Sequence, residues 1–497
     1  MHPTRRSLAL APILALLTAA CADDRPRSTL SAPDLSADAP LAMLSESELD
    51  RALTDVLATH GFTGRMDAAV EERLGRRLDP ALVEAGRLLF FDPVSSLEGD
   101  NTCAGCHAPN ASFGGTQSIA IGVENNGLVG PNRTGPRNFR RSPTVANSAL
   151  FPQIMLNSRF VALSGDPFDN SAGFFLLGES SSLDHMPHLL AAQAFMPVVD
   201  RSEMAGFHFE GSREEMRAEI ARRVDALDGY RDLFARAFPA IADGEPIRFD
   251  HIGVAMAEFQ ASLIFADAPI DAYARGRRNA LTPDEKRGAL LFFGKADCAS
   301  CHAVDVPFAS GDEMFTDYRH YVLGVPQIVP DETNVEFAGP DRNQDFGRED
   351  VTGDEADRYA FRTSPLRNVA LQPWFMHNGA FRRLEDAIRH HLDAYESARS
   401  YSPSELDADL QNLGPIEPVL ARLDPRIAEP PELTTEEFDQ LVDFVRCGLL
   451  DPAARPEQMR SITPRGLPSG EEMHTFERAS SADLVAECAR GRSNGRW

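Results

Sequence analysis

A five-residue pattern that occurs twice constrains this chain more than any other feature. The sequence reads Cys-Ala-Gly-Cys-His at 103–107 and Cys-Ala-Ser-Cys-His at 298–302. C-x-x-C-H is the attachment signature of c-type haem, in which both thiols bond the vinyl groups and the histidine binds the iron. The pattern therefore predicts two covalently bound haem c groups, held by Cys103, Cys106 and His107 and by Cys298, Cys301 and His302.

A structural zinc site is the alternative explanation, since four thiolates can bind one zinc ion. The pairs of such a site are usually separated by roughly 15–20 residues. Here they stand at 103–106 and 298–301, and a histidine follows each pair. The spacing and the histidines favour haem over zinc.

Residues 1–20 have the pattern of an export signal. A basic pair at 5–6 precedes an apolar run at 8–17, which is too short to span a bilayer as a mature helix. The sequence Leu-Thr-Ala-Ala-Cys, which ends at Cys21, resembles a bacterial lipoprotein box and favours a lipid on that cysteine. Ordinary cleavage after Ala22 is the competing interpretation. In both cases we expect a periplasmic protein, and only the lipid on Cys21 would attach it to the membrane.

Cysteine usage agrees with an exported protein. Of seven cysteines, one is a lipidation candidate and four belong to the haem motifs, which leaves Cys447 and Cys488. These two can pair in an oxidising compartment, which would tie the tail at 456–497 to the last helix of the second half. Two free thiols are the alternative.

The chain is strongly acidic, with a formal net charge of −26. This charge argues against nucleic acid as a partner. It suits a basic electron-donor protein, although a high net charge also serves solubility alone.

The body of the chain repeats itself around the two motifs. Ala-Gly-Arg-Leu-Leu-Phe-Phe at 85–91 and Arg-Gly-Ala-Leu-Leu-Phe-Phe at 287–293 precede the motifs on predicted helices. We expect a mainly α fold of two tandem cytochrome c-like helical haem domains with long loops, as at 108–145 and 303–365. The expected units are a signal peptide at 1–20, a flexible tether at 21–45, an N-terminal haem domain at 46–275, a C-terminal haem domain at 276–455 and a tail at 456–497.

A capping box at Thr434 and Glu437 opens a further helix, whose apolar residues recur at helical spacing. It resembles the terminal helix of a small cytochrome c. We expect it to pack against the helix that precedes the second haem motif.

The function of each haem depends on what binds the far side of its iron. His391 lies three residues after Ile388 and seven after Leu384, on the apolar face of a predicted helix. It is therefore the candidate second ligand of the second iron, with a hydrogen-bonded core histidine as the alternative. His390 shares its face with polar residues and is expected to point to water.

The first haem has no comparable ligand, since no histidine occurs at 108–184 and Met155 is the only soft candidate in that loop region. Its iron is predicted to be five-coordinate or to hold only water, and so to be open to peroxide. A carboxylate placed over such an iron can move a proton between the two oxygens of peroxide. Gln193 and Glu203 are available for this site. From spacing alone, a solvated loop charge explains Glu203 equally well.

Together these motifs resemble the bacterial di-haem cytochrome c peroxidases. They are also similar to a relative of that family, the di-haem enzyme that matures the tryptophan-derived cofactor of methylamine dehydrogenase. The likeness covers about residues 80–450. Beyond the haem motifs it is carried by Gly-Arg-Glu-Asp-Val-Thr-Gly-Asp at 347–354, Ser-Pro-Leu-Arg-Asn-Val-Ala-Leu at 364–371 and Met-His-Asn-Gly at 376–379.

The resemblance implies a peroxide site at the first haem and an electron-entry site at the second. Gln193 and Glu203 match the family's distal glutamine and catalytic glutamate. His391 stands where the family usually has a methionine ligand, and histidine there should lower that haem's potential. The resemblance also implies a calcium ion between the domains, with Asn138 as a candidate ligand, and a homodimer.

The chain departs from the family pattern at two further positions. The family's gating histidine falls near Val123, where no histidine is present, so reductive activation is not expected to be needed. The tryptophan between the family's haems falls near Leu156. Trp374 is a candidate substitute for it, with core packing as the alternative.

The sequence therefore predicts an exported di-haem c-type peroxidase that reduces hydrogen peroxide to water. Its electrons would come from a small donor protein, a cytochrome c or a cupredoxin. Two alternatives stay open: a protein-modifying oxidase that acts on Trp or Tyr of a partner protein, and a plain di-haem electron-transfer cytochrome.

Overall fold

The chain is mainly helical, as predicted. The computed structural model describes residues 41–66, 69–306, 313–331, 343–429 and 431–490. The predicted signal peptide, the lipidation candidate Cys21 and most of the predicted tether lie outside these residues. The longer α-helices are Glu46–Thr59, Ala69–Leu74, Pro80–Phe91, Leu189–Gln193, Arg213–Asp225, Asp228–Ala237, Phe249–Ala261, Pro269–Ala274, Pro283–Phe293, Leu384–Leu392, Ala394–Arg399, Thr435–Asp443 and Ala482–Ala489.

Shorter elements occupy the loops around the haem motifs. Single α-helical turns are Cys103–Cys106, Pro239–Ala242, Glu349–Thr352, Glu417–Leu420, Pro425–Ala428 and Pro456–Met459, and π-helical turns are Arg201–Ala205 and Phe444–Gly448. None of the helices in the described ranges combines the length and the apolar character needed to span a membrane.

The strands are short and form small sheets at the edges of the helical body. One antiparallel sheet has three strands, Gln153–Ile154, Phe160–Ala162 and Phe174–Leu176. The other strands pair in twos: Leu128–Val129 with Thr475–Phe476 in parallel, and His320–Tyr321 with Phe361–Arg362 and Ile328–Val329 with Asn412–Leu413 in antiparallel fashion.

The first half is built around two crossing helices. Pro80–Phe91, which leads into the first haem motif, crosses Phe249–Ala261 at Gly86. A β-carbon added at Gly86 would lie 2.0 Å from Ala255 O. Only glycine allows the two backbones to approach this closely, so the glycine of the repeated run sets the crossing.

The second half repeats this arrangement. Pro283–Phe293 begins with a capping box formed by Thr282 and crosses Thr435–Asp443 at Gly288. A β-carbon added at Gly288 would lie 1.9 Å from Gln440 O. The predicted packing of the terminal helix against the helix before the second haem motif is confirmed.

Two hydrophobic clusters form the core, and each surrounds one pair of crossing helices. The helix Glu46–Thr59 packs on the second cluster through Leu49 and Leu53, and its Asp50 forms an ion pair with Lys286 at 2.8 Å. The predicted limits place this helix in the first haem domain, with which it does not share a core. An amphipathic helix shows which face is buried but not against which partner. The boundary near residue 275 stays a prediction.

The tail crosses back to the first half of the chain. Its strand Thr475–Phe476 pairs with Leu128–Val129, and the phenylalanine ring lies 5.7 Å from the ring of Phe91. A disulfide joins Cys447 to Cys488, with 5.4 Å between the α-carbons. This confirms the predicted pairing, so the end of the tail is fixed to the second half.

Replacing both cysteines, Cys447→Ser with Cys488→Ser, is expected to lower the free energy of unfolding by about 2–4 kcal/mol. The bond closes a loop across a sequence separation of 41, and its loss gives the unfolded chain more freedom. Guanidinium unfolding of the oxidised proteins measures the effect. An unchanged midpoint would show that packing alone holds the tail.

Candidate functional site

His107 is held by the loop that follows the first haem motif. The single turn Cys103–Cys106 is capped by the Thr102 hydroxyl, which accepts a hydrogen bond from Gly105 N at 3.0 Å. His107 Nδ1 donates to Pro143 O at 2.8 Å. Burial lowers the pKa of His107, so the ring is neutral and its Nε2 keeps a lone pair for a metal.

His302 in the second motif is held in the same way. Its Nδ1 donates to Phe315 O, in the loop that follows, at 3.0 Å. Burial, and after it the neighbouring ring of His391, lower the pKa of His302 to about 4. This ring is therefore also neutral, with Nε2 available to a metal.

Each motif borders a cavity of cofactor size. The first motif lines a cavity of about 890 Å³, here named the first cavity, and the second motif lines one of about 640 Å³, the second cavity. The four motif cysteines form no disulfide. Each site thus offers two thiols, one imidazole and a volume typical of cofactor pockets, about 300–1,000 Å³. The residues fit two haems, and the separation of the pairs into two cavities argues against a shared zinc site.

His391 lies across the second cavity from His302. Their ring centroids are 6.5 Å apart, and the ring planes meet at 60°. His391 Nδ1 donates to Ala387 O at 2.8 Å, which leaves its Nε2 for a ligand. A metal–imidazole bond is about 2 Å long and the ring nitrogen lies about 1 Å from the ring centre, so two imidazoles that share an iron have centroids about 6 Å apart. The observed separation fits that arrangement.

The prediction that His390 points to water is wrong. His390 is fully buried, with Nε2 2.8 Å from Leu323 O and Nδ1 2.9 Å from Ser397 Oγ. The helix Leu384–Leu392 is covered on two sides, because the helix Ala394–Arg399 closes over the face that the sequence pattern assigns to solvent. His390 is buried and His391 is half-buried, and of the two only His391 lines the second cavity.

Glu203 and Gln193 line the first cavity together with His107. Gln193 ends the helix Leu189–Gln193. Glu203 lies in the π-helical turn Arg201–Ala205, and its carbonyl accepts a hydrogen bond from Asn101 Nδ2 at 2.6 Å. This bond fixes Glu203 to the residues just before the first haem motif. The structure thus places in one cavity the three side chains that the sequence assigned to the first haem site, and their roles stay predictions.

Arg159 is a residue of this site that sequence reasoning missed. Its Nη2 donates to Glu203 Oε1 at 2.7 Å, across a sequence separation of 44, and it also lines the first cavity. The strand Phe160–Ala162 positions it. No spacing rule links an arginine beside a strand to a glutamate in a distant loop, so the sequence carried no signal for the pair.

Asp200 lies beside Glu203 and caps the same turn, accepting from Ser202 N and Glu203 N at 3.1 Å each. Burial, and after it the charge of Glu203, raise the pKa of Asp200 to about 7. An unfolded aspartate has a pKa of about 3.9. The folded protein thus keeps a proton that the unfolded chain loses, and stability falls as the pH rises between these two values.

Asp200→Asn is expected to remove this loss of stability with rising pH. Relative to the wild type, the free energy of unfolding should gain about 2–4 kcal/mol at pH 8 and almost nothing at pH 4. Urea unfolding across this range measures the difference, with Asp232→Asn on the exposed face of the helix Asp228–Ala237 as the control. Parallel pH profiles for wild type and Asp200→Asn would contradict the assignment.

Leu156 borders both cavities, at the position where the resemblance places a tryptophan. Trp374 lines neither cavity and packs under Arg382, whose guanidinium carbon lies 5.5 Å from the centroid of the indole ring. Core packing is therefore the better account of Trp374. Val123, in the place of the gating histidine, is buried and donates its N–H to Ser202 O at 3.1 Å.

Asn138, the candidate calcium ligand, lines the first cavity. Its Oδ1 is buried without a hydrogen-bond partner, as a ligand oxygen would be. Calcium takes six to eight oxygen ligands, which include amide and backbone carbonyls and water as well as carboxylates. The calcium site therefore stays a prediction.

Comparison with known proteins points to one family. The model of the family described as di-haem cytochrome c peroxidase matches residues 80–279. Methylamine utilization protein MauG of Methylorubrum extorquens is 31% identical over 326 residues, which cover 65% of this chain and 72% of that protein. Cytochrome c551 peroxidase of Nitrosomonas europaea is 30% identical over 308 residues, which cover 62% of this chain and 71% of that protein.

Solved structures agree with the helical fold. A MauG-like protein associated with microbial copper homeostasis matches with a TM-score of 0.54 and 25% identity, over 77% of this chain and 92% of that one. The diheme peroxidase BthA from Burkholderia thailandensis matches with a TM-score of 0.52 and 23% identity, over 80% and 91%. The second likeness shows the fold alone.

Proposed function

The chain belongs to the di-haem cytochrome c peroxidase family, and on that premise we propose that it reduces hydrogen peroxide to water with electrons from an external donor protein. Membership makes it an oxidoreductase with haem c cofactors. The observation that carries the finer proposal is the difference between the two cavities. His391 lies opposite His302 in the second, whereas no histidine besides His107 is among the residues described as lining the first.

The haems would be held by the motif residues. Cys103 and Cys106 would bond one haem and His107 would bind its iron, while Cys298 and Cys301 would bond the other and His302 and His391 would bind its iron. When bound, the haems supply an iron that takes peroxide at the first site and a one-electron relay at the second.

Glu203 is proposed as the acid–base residue of the first cavity. Its Oε1 accepts from Arg159 Nη2 at 2.7 Å, while its Oε2 makes no hydrogen bond with the described residues. The guanidinium fixes the carboxylate, and the second oxygen can take a proton from one peroxide oxygen and return it to the other. The amide of Gln193 is proposed to orient the peroxide by hydrogen bonding.

The overall reaction balances with two electrons and two protons for each peroxide, which yield two water molecules. The donor delivers the electrons one at a time at the second cavity. They reach the first cavity through the wall that the two share, in which Leu156 and Arg141 lie. A net charge of −26 supports a basic donor, such as a cytochrome c or a cupredoxin. The periplasmic location and the lipid on Cys21 stay predictions.

A protein-modifying oxidase is the second candidate. The 31% identity to the methylamine utilization protein MauG favours it, as does Val123 in the place of the gating histidine. In that case the oxidising equivalents would be reduced by Trp or Tyr side chains of a partner protein instead of by a donor cytochrome.

Steady-state turnover separates these functions. The peroxidase predicts peroxide-dependent oxidation of reduced cytochrome c, catalysed many times per enzyme. An oxidase predicts little such turnover, together with peroxide-dependent oxidation of Trp or Tyr in a partner protein. If peroxide neither reacts with the ferric protein nor supports either turnover, the protein is an electron carrier and the proposal is wrong.

A further inference from the structure

Arg141 lies in the wall that the two cavities share, since it lines both. Its Nη1 donates to Gln372 Oε1 at 2.9 Å, and its Nε donates to Met376 O at 3.3 Å. Both acceptors are neutral, and no described carboxylate forms an ion pair with the Arg141 guanidinium. Burial lowers the pKa of Arg141 to about 10, which still leaves the guanidinium charged.

Arg362 repeats this situation in the wall of the second cavity. It is 5% exposed, and it donates to Met155 O at 3.2 Å and Thr363 O at 3.1 Å. No described carboxylate forms an ion pair with this side chain, although the nearby charge of Asp317 offsets part of the cost of its burial. Burial lowers the pKa of Arg362 to about 10.

Two neighbouring arginines in the same walls are neutralised by protein groups. Arg140 pairs with Asp345 at 2.6 Å and Asp350 at 2.9 Å. In the second cavity, Arg426 pairs with Asp424 at 2.8 Å. Arg201 in the first cavity also lacks a carboxylate partner and donates only to the carbonyls of Gly206 and Phe209. What distinguishes Arg141 is its place in the walls of both cavities.

Arg362 is buried and Arg141 is half-buried. A charge that is removed from water without a counter-ion is costly, so such groups are normally paired or coordinate a ligand. Each haem carries two propionate side chains, which are carboxylates and form strong charge-assisted hydrogen bonds with guanidinium groups. Arg141 borders both cavities and is therefore placed to serve a propionate from each haem.

We propose that Arg141 binds propionates of both haems and that Arg362 binds a propionate of the second. The inference rests on the proposed positions of the haems, but not on peroxide reduction.

A fixed positive charge near a haem favours the reduced iron, because reduction adds one negative charge. Removing it should favour the ferric state. At a separation of about 10 Å and an effective dielectric constant of about 20, one charge changes the ferric-to-ferrous ratio about tenfold. For a one-electron couple, tenfold corresponds to about 59 mV.

Spectroelectrochemical titration of the haem-loaded protein tests the proposal without peroxide. Arg141→Gln should raise the ferric-to-ferrous ratio about tenfold at both haems, and Arg362→Gln should do so at the second haem only. Arg141→Lys keeps the charge and should stay near the wild type. Arg422→Gln, which breaks a surface ion pair with Glu355, is the control for simple loss of charge.

Unchanged potentials in Arg141→Gln at full haem content would overturn the proposal. If Arg141→Gln fails to bind haem while Arg141→Lys binds it, propionate binding by Arg141 is supported. If neither Arg141 variant binds haem and Arg362→Gln has unchanged potentials, the proposal is overturned.

Discussion

Glu203→Gln is expected to lower kcat for peroxide reduction about a hundred- to ten-thousand-fold while both haem spectra stay as in the wild type. Glutamine keeps the shape of the side chain and can still contact Arg159, but it cannot carry a proton between the two peroxide oxygens. Stopped-flow mixing of the ferric protein with peroxide, followed by turnover with reduced cytochrome c, measures the loss at the first chemical step.

Glu98→Gln is the matched control for this variant. Glu98 accepts from His208 Nδ1 at 2.8 Å, close to the same loop, but it does not line the first cavity. Turnover should therefore be nearly unchanged. If Glu203→Gln reacted with peroxide at the wild-type rate, Glu203 would be a structural partner of Arg159 and another group would have to move the proton.

His391→Ala is expected to convert the second haem from low spin to high spin. The substitution removes the ring that lies 6.5 Å from His302, and alanine offers no atom that could bind the iron. His391→Met should restore six-coordination with a higher reduction potential, because methionine ligation favours ferrous iron. Electronic absorption and electron paramagnetic resonance of the ferric protein report the spin state.

His390→Ala is the control on the adjacent position. It removes the hydrogen bonds to Leu323 O and Ser397 Oγ, so we expect lower stability with the low-spin signal retained. A low-spin second haem that survives His391→Ala but not His390→Ala would reverse the ligand assignment.

The sequence predicted those parts of the fold and site that local patterns determine. C-x-x-C-H names three candidate haem-binding residues within five positions. The packing of Thr435–Asp443 against Pro283–Phe293 follows from a capping box and apolar residues at helical spacing. The place of His391 in the wall of the second cavity follows from its spacing to Leu384. In each case the physical cause lies within one or two helical turns.

Other parts depend on contacts between distant segments, which local patterns do not encode. Arg159 meets Glu203 only because a strand and a π-helical turn share a cavity wall. His390 is buried by the helix that follows it, and Glu46–Thr59 packs on the second core instead of the nearer first one. The role proposed for the charge of Arg141 depends on its position between the two cavities, which the sequence does not show.

The proposed peroxide reduction requires two unequal haem sites, one open to peroxide and one closed by two histidines. The most direct measurement is the electron paramagnetic resonance spectrum of the ferric protein before and after one equivalent of hydrogen peroxide. We expect one high-spin and one low-spin signal of equal weight, with the high-spin signal lost on addition of peroxide. Two low-spin signals in both the fully ferric and the half-reduced protein, neither changed by peroxide, would contradict it.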